Sequence, residues 1–292
     1  MASARLWWEG LRPKSLPAAV APVLAGTAVA VSMGRLDWVL AVLCLLVALT
    51  LQIGVNFAND YSDGIRGADD ESRVGPQRLV GSGVASPSSV KAVAFAFFGL
   101  ACVFGLAVVV LTGHWWMVAV GALCVLAAWF YTGGSRPYGY FALGEVMVFV
   151  FFGLVAVCGT TFVQVGSVPL AALVAALGIG AQACAILVTD NLRDIHTDPL
   201  AGKTTLATVM GEPATRTFFV CLHAVGWVAV IVVATLTSWW LLLALAGVPF
   251  AVRACAAVRR GDVGMALLPV MKWTGLAELL TGAGLLFGAL LR

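Results

Sequence analysis

The residues with the most chemistry in them are aspartates. Asp60 and Asp63 stand three apart, and Asp190, Asp194 and Asp198 follow one another at intervals of four. Residues three or four apart share one face of a helix, so each set forms an acidic stripe whose like charges repel. A divalent cation between the carboxylates would relieve that repulsion. Oxygen-only donors suit a hard ion, and Mg²⁺ typically takes one or two carboxylates while sharing the rest of its octahedron with water and substrate phosphate. The first stripe runs back through Asn59, Asn56 and Gln52. Polar groups at membrane depth normally face a bundle interior or a cavity, so this face is expected to line a pocket with Asn56 and Asn59 toward substrate and the two acids at its mouth. Pro199 disfavours helix at Asp198, which ends the second stripe there.

Basic and aromatic residues accompany the acids. Arg66, Arg73, Arg78, Arg193 and Lys203 lie in the same two segments and are suited to neutralising phosphate oxygens that a metal leaves free. Between them, Tyr131-Thr132-Gly133-Gly134-Ser135-Arg136-Pro137-Tyr138-Gly139-Tyr140 supplies three tyrosines and one arginine. Arg136 suits a carboxylate or phosphate, and Tyr131 and Tyr138 offer rings to the face of an aromatic acid. Tyr140 fits that role or an interfacial tyrosine belt. His196 has no second His or Cys at ligand spacing and reads as a loop residue; His114 and His223 read as interface and packing residues. Glu145 and Glu278 lie inside apolar stretches, where a carboxylate is either structurally paired or faces a cavity.

The elements that must position these residues are membrane helices. Of 292 residues, 61% are apolar and 11% charged, and the mean hydropathy is +1.00; a soluble domain carries about 25% charged residues. The predicted fold is all-α: one domain over residues 1–292, with nine crossings at 16–33, 36–58, 90–111, 115–131, 142–162, 169–190, 215–235, 239–252 and 266–291, bundled around a central cavity. The eighth is short and needs Trp239, Trp240 and Arg253 at its ends. With the N-terminus in the cytoplasm, nearly all Lys and Arg fall on the inner side and only Arg35 and Arg292 on the outer, an orientation expected of a bacterial-type inner membrane protein. The inner loops 59–89 and 191–214 are long and acidic and are expected to cap an active site at the cytoplasmic face. The net charge of +3 is scattered and forms no basic tract, which argues against nucleic-acid binding. The cysteines show no Cys-x-x-Cys spacing and read as small core residues. The first apolar run leads straight into another, so no signal segment is expected to be removed.

Two motifs carry a family resemblance. Asn56-Phe57-Ala58-Asn59-Asp60-Tyr61-Ser62-Asp63-Gly64, followed by Gly67 and Asp69, and Asp190-Asn191-Leu192-Arg193-Asp194, with Asp198 and Ala201-Gly202-Lys203-Thr204-Thr205-Leu206-Ala207, resemble the aspartate-rich motifs of the UbiA superfamily of intramembrane aromatic prenyltransferases. Gly75-Pro76-Gln77-Arg78 and Arg136-Pro137-Tyr138-Gly139-Tyr140 resemble its 1,4-dihydroxy-2-naphthoate branch in menaquinone synthesis. The resemblance implies Mg²⁺ held among Asp60, Asp63, Asp69, Asp190, Asp194 and Asp198. It implies a polyprenyl diphosphate donor assisted by Arg78, Arg193 and Lys203, and an aromatic acid acceptor near Tyr131, Arg136 and Tyr138. Loss of diphosphate would give an allylic cation, attacked by the naphthoate ring with departure of carbon dioxide. Where the broad pattern has a third acid, this sequence has Gly67.

Other readings compete. A different aromatic acceptor keeps the same chemistry. A CDP-alcohol phosphatidyltransferase-like enzyme shares the start Asp60-x-x-Asp63-Gly64 but needs further aspartates close downstream, whereas the second set here begins at Asp190. An ion-coupled transporter usually places its acids near the midplane on broken helices, and these gather at one face.

Overall fold

The computed structural model describes residues 4–67 and 77–292. Every long element among them is helical. In chain order these are α1 (Ala4–Gly10), α2 (Pro17–Ser32), α3 (Trp38–Ile65), α4 (Pro87–Thr112), α5 (Met117–Phe130), α6 (Gly144–Val165), α7 (Leu170–Arg193), the short α8 (Leu206–Met210), α9 (Glu212–Leu236), α10 (Trp239–Arg260) and α11 (Leu268–Leu290). One isolated parallel bridge joins Phe141 to Thr204.

Seven helices are long and apolar enough to cross a bilayer among the described residues: α3, α4, α6, α7, α9, α10, and α11 with the turn that leads into it. The chain is a multi-pass membrane protein. The expected nine crossings are corrected in three places. The first is α2, only 16 residues long and bent by 47° from the Ala4–Ser15 segment before it, so that the pair makes an eighth span only if taken together. The fourth is α5, whose 14 residues reach about 21 Å at ~1.5 Å per residue, short of the roughly 30 Å of hydrocarbon. The eighth is longer than the sequence suggested. Its helix continues past Arg253 to Arg260, because the arginine stem can run along the apolar surface while its head reaches water.

Without a hydrophobic drive between helices in lipid, packing depends on small residues that let backbones approach. A Cβ on Gly153 of α6 would lie 2.9 Å from the Cα of Gly180 on α7, and one on Gly288 of α11 would lie 2.2 Å from the carbonyl oxygen of Trp240. The core between α2, α6, α7, α9, α10 and α11 is accordingly rich in alanine, with Ala25, Ala28, Ala172 and Ala176 fully buried. Cys184 is buried as expected, but Cys102 and Cys221 are exposed on their helices, so those two are not core residues.

The helix that matters most for the site is α3. Asp37 caps its first turn by accepting from the Val39 and Leu40 amides at 2.9 and 3.0 Å. The apolar pattern suggested an end near residue 58, yet the helix runs on to Ile65 and carries Asn59, Asp60 and Asp63 as helical residues. Asn56, Asn59, Asp60 and Asp63 on its polar face all find partners within the protein. Gly67 takes a left-handed conformation (φ +74°) just beyond the end, the backbone state that stops a helix and that glycine adopts without strain. The position where the family pattern has an acid is spent on that stop.

Candidate active site

The C-terminal ends of α3 and α7, the segment between α5 and α6, and the turn after α7 meet at one end of the bundle. Tyr140 is where they touch. Its hydroxyl donates to Asp63 Oδ1 at 2.7 Å. Its ring has the Arg66 guanidinium at 5.4 Å and the Lys203 ammonium at 5.6 Å. Its backbone continues the join, since the Thr204 amide donates to the Tyr140 carbonyl at 3.1 Å and the Ala142 amide to the Thr204 carbonyl at 2.9 Å. Burial first, and then the charge of Asp63, hold the phenol above its ordinary range, so it remains a donor at neutral pH. Arg66 closes the same corner by donating to the carbonyls of Thr132 and Gly134.

The acidic stripe of α3 is buried, as its spacing predicted, but its members face different partners. Asn59 accepts from the Thr132 hydroxyl at 2.7 Å. Asn56, expected at substrate, instead donates to the Leu11 carbonyl at 2.8 Å and to Ser15 Oγ at 3.2 Å, bracketing the bend between α1 and α2. Asp60, expected at the metal, is 1% exposed. Its two oxygens accept the backbone N–H groups of Leu79 and Val80 at 3.0 and 2.9 Å. Asp60 sits about 40° round the helix from Asn56 and about 60° from Asp63, and it points at Leu79 and Val80 rather than at Tyr140. Asp69 and Arg73 lie outside the described residues, as do Asp70 and Glu71.

On α7 the repulsion between Asp190 and Asp194 is relieved by a residue of the stripe's own helix. Arg193 Nη1 lies 2.6 Å from Asp190 Oδ1. Its Nε and Nη2 donate to the two oxygens of Asp194 at 2.8 and 2.6 Å, a bidentate geometry suited to a partly buried pair. The guanidinium reaches both acids because the side chain is long enough to fold back along the helix end. Asp198 follows on a tight turn closed by its own carbonyl accepting from the Lys203 amide at 2.9 Å. Lys203 Nζ stands 3.9 Å from Asp198 Oδ1. Burial pushes the Asp198 carboxyl up to about 6, against the opposing pull of Lys203.

Tyr131 joins the two stripes. Its hydroxyl is within electrostatic range of Asp63, Asp190 and Glu145, and its ring packs edge-on against Tyr138 at 5.5 Å. Tyr138 spends its hydroxyl on the Ala127 carbonyl at 2.8 Å, so it acts through its ring. Arg136 is exposed at the tip of the same segment. Arg78 is half-buried beside the turn that Asp60 holds. His196 is exposed as a loop histidine, and His223 packs edge-on against Phe219 at 4.9 Å.

Two contacts escaped the sequence reading. Tyr140 was indistinguishable from an interfacial tyrosine, although the alternation Tyr138-Gly139-Tyr140 after Pro137 was the visible sign of an ordered turn. Glu145 was separated from its partner by the chain, and its pairing with Asn191 at 2.8 Å links residues 46 apart.

Among the described residues no three His, Cys, Asp or Glu side chains stand close enough to enclose an ion by themselves. The donor set is instead carboxylates in ones and twos from two helix ends. An ionised carboxylate has about four lone-pair sites, and Asp63 and Asp194 each keep some beyond the bonds described. Asp190 has a third of its side chain exposed. That supply fits Mg²⁺, which completes its shell with substrate phosphate.

Comparison with known proteins agrees with this geometry. The model of the UbiA prenyltransferase family matches residues 19–276. A protein of Mycobacterium tuberculosis named 1,4-dihydroxy-2-naphthoate octaprenyltransferase is 49% identical over 279 residues, covering 96% of this chain and 94% of its own. One of the same name from Escherichia coli is 36% identical over 292 residues, covering 98% and 95%. The solved structure of a UbiA homolog from Archaeoglobus fulgidus bound to DMAPP and Mg²⁺ superposes with a TM-score of 0.66 at 15% identity, over 97% of this chain and 99% of that one, a likeness of fold. Polar motifs at one end of a helical bundle, a match along most of the chain and full-length relatives lead to one conclusion: the chain belongs to the UbiA prenyltransferase family.

Proposed function

We propose that this protein transfers a polyprenyl group from polyprenyl diphosphate to 1,4-dihydroxy-2-naphthoate, with loss of carbon dioxide, giving demethylmenaquinol and diphosphate. The relatives' names support the acceptor. The observation that carries the chemistry is the meeting of the two acidic helix ends around Tyr131 and Tyr140. The whole chain acts as one intramembrane domain, and the segments 59–89 and 191–214 cap the site. The site faces the cytoplasm of a bacterial-type inner membrane, with the N-terminus on the same side; the basic residues gathered at that end support this orientation.

Asp63, Asp190, Asp194 and Asp198 are the residues suited to hold Mg²⁺, with Asp69 a further candidate. When bound, Mg²⁺ supplies positive charge to the leaving diphosphate. Arg193 and Lys203 lie among those acids and add donors for phosphate oxygens, and Arg78, beside the Leu79–Val80 turn, is a further candidate donor. Electrostatic stabilisation of this kind acts most strongly where water is excluded, and the burial of Arg193 and Tyr140 supports such a site. Tyr131 presents its ring and hydroxyl to the reacting centre, and Tyr138 supports that ring. Arg136 is placed to meet the acceptor's carboxylate as it enters. Asn59 and Asp60 shape the site through Thr132 and the Leu79–Val80 turn.

The purified protein in detergent or nanodiscs, given Mg²⁺, a radiolabelled polyprenyl diphosphate and dihydroxynaphthoate, should form prenylated naphthalenediol and release carbon dioxide in equal amounts. Prenylation of 4-hydroxybenzoate in preference to the naphthoate would replace the acceptor. Absence of any prenyl transfer would remove the reading.

A further inference from the structure

Glu145 opens α6 at the level of the site and is 4% exposed. The Asn191 amide donates to its Oε1 at 2.8 Å and fixes the carboxyl group. Its other oxygen, Oε2, is buried without a hydrogen-bond partner among the described residues. The backbone around it is held rigidly: the Cys184 thiol donates to the Glu145 carbonyl at 3.1 Å, and a Cβ on the preceding Gly144 would stand 3.5 Å from the Tyr131 hydroxyl oxygen. Tyr131 and Lys203 are both within electrostatic range of the carboxyl group. A carboxyl group anchored through one oxygen, with the other buried and unpartnered among the described residues and with its backbone next to Tyr131, is suited to a donor group from outside the chain, because burying that oxygen unpaired is costly.

Resting on the acceptor assigned above, we propose that Glu145 Oε2 accepts a hydrogen bond from the acceptor hydroxyl next to the carboxylate-bearing ring carbon, and takes its proton during transfer. The steps balance without a further reactant. The ring carbon forms a bond to the terminal prenyl carbon, whose bond to diphosphate breaks with the electron pair leaving on oxygen. The hydroxyl proton passes to Glu145, which leaves a ketone beside the carboxylate. The resulting β-keto carboxylate loses carbon dioxide, and the electrons of the broken carbon–carbon bond form an enolate. Glu145 returns the proton to that oxygen, and the ring is aromatic again. Asp190 and Asp194 are poorly placed for this work because Arg193 holds both.

Glu145→Gln tests this, since it keeps the side chain's shape and an oxygen for Asn191. Three quantities are measured: Mg²⁺-dependent binding of polyprenyl diphosphate, the transfer rate to dihydroxynaphthoate, and the rates to ring-fluorinated analogues whose hydroxyls are more acidic. The variant should bind donor as the wild type does and lose about 100-fold or more in transfer, the usual contribution of a positioned base. That defect should shrink as the acceptor hydroxyl becomes more acidic. A wild-type transfer rate in the variant overturns the inference. So does a defect of equal size for every acceptor, or one that follows lost donor binding, since either marks a structural role. A wild-type protein that prenylates none of these acceptors would instead overturn the acceptor assignment and the inference with it.

Discussion

Tyr140 reaches both motifs at once, through a hydroxyl on Asp63 and a ring between Arg66 and Lys203. Partners that orient a metal-binding carboxylate commonly set affinity by 10–100-fold. Tyr140→Phe keeps the ring and removes the hydroxyl, and should weaken Mn²⁺ binding, followed by electron paramagnetic resonance, by about 10-fold or more; unchanged binding would confine Tyr140 to packing. Asp198 gives a prediction in pH. Its carboxyl lies at about 6 when folded against about 3.9 in an unfolded chain. Between those values the folded protein keeps a proton that the unfolded chain releases, so this group makes stability fall as pH rises through that window and adds no slope outside it. Melting curves of Asp198→Asn should be flatter over the same window than those of the wild type. These residue roles were only partly legible beforehand. Helical spacing put Asp60 and Asp63 on a buried face, but spacing is blind to the chain that returns against it, and that chain claims Asp60.

At the scale of elements, α3 and the Leu79–Val80 turn act as one piece because Asp60 clamps that turn onto the helix. Asp60→Asn replaces one acceptor oxygen with an amide NH₂ group that faces a backbone N–H donor. The expected cost is about 1–3 kcal/mol, that of leaving a buried donor unsatisfied, read as a lower melting temperature in detergent. Equal stability would show that the turn is held by other contacts. The apolar spans were readable because lipid demands long apolar stretches, whereas their ends were not. The polar tail of α3 looks like a loop until Asn56, Asn59 and Asp63 are seen to pair with Leu11, Ser15, Thr132 and Tyr140. In the other direction, α5 is apolar throughout and still too short to cross by itself.

For the whole molecule, the chemistry is polarised. The end carrying Asp63, Asp190, Arg193 and Lys203 lies a full helix length from the end carrying Asp37, about 42 Å along the 28 residues of α3. A cavity of about 560 Å³ at that far end, lined by Val31–Gly34 and the chain's last residues, lies away from every carboxylate of the site. The two motifs were legible as separate stripes, and the family likeness implied that they converge; the spacing alone was silent on what bridges them, because Tyr140 and Glu145 belong to a third segment. The convergence is tested most directly by calorimetric binding of a polyprenyl thiodiphosphate, which resists ionisation, to the wild type, Asp63→Asn, Asp190→Asn and the double variant with and without Mg²⁺. Asp63 and Asp190 acting on one bound diphosphate predict that each single change weakens Mg²⁺-dependent binding by at least about 10-fold and that the double change falls well short of the summed losses, as residues sharing one network do. Wild-type affinity in either single variant, or losses that simply add, would contradict a shared site.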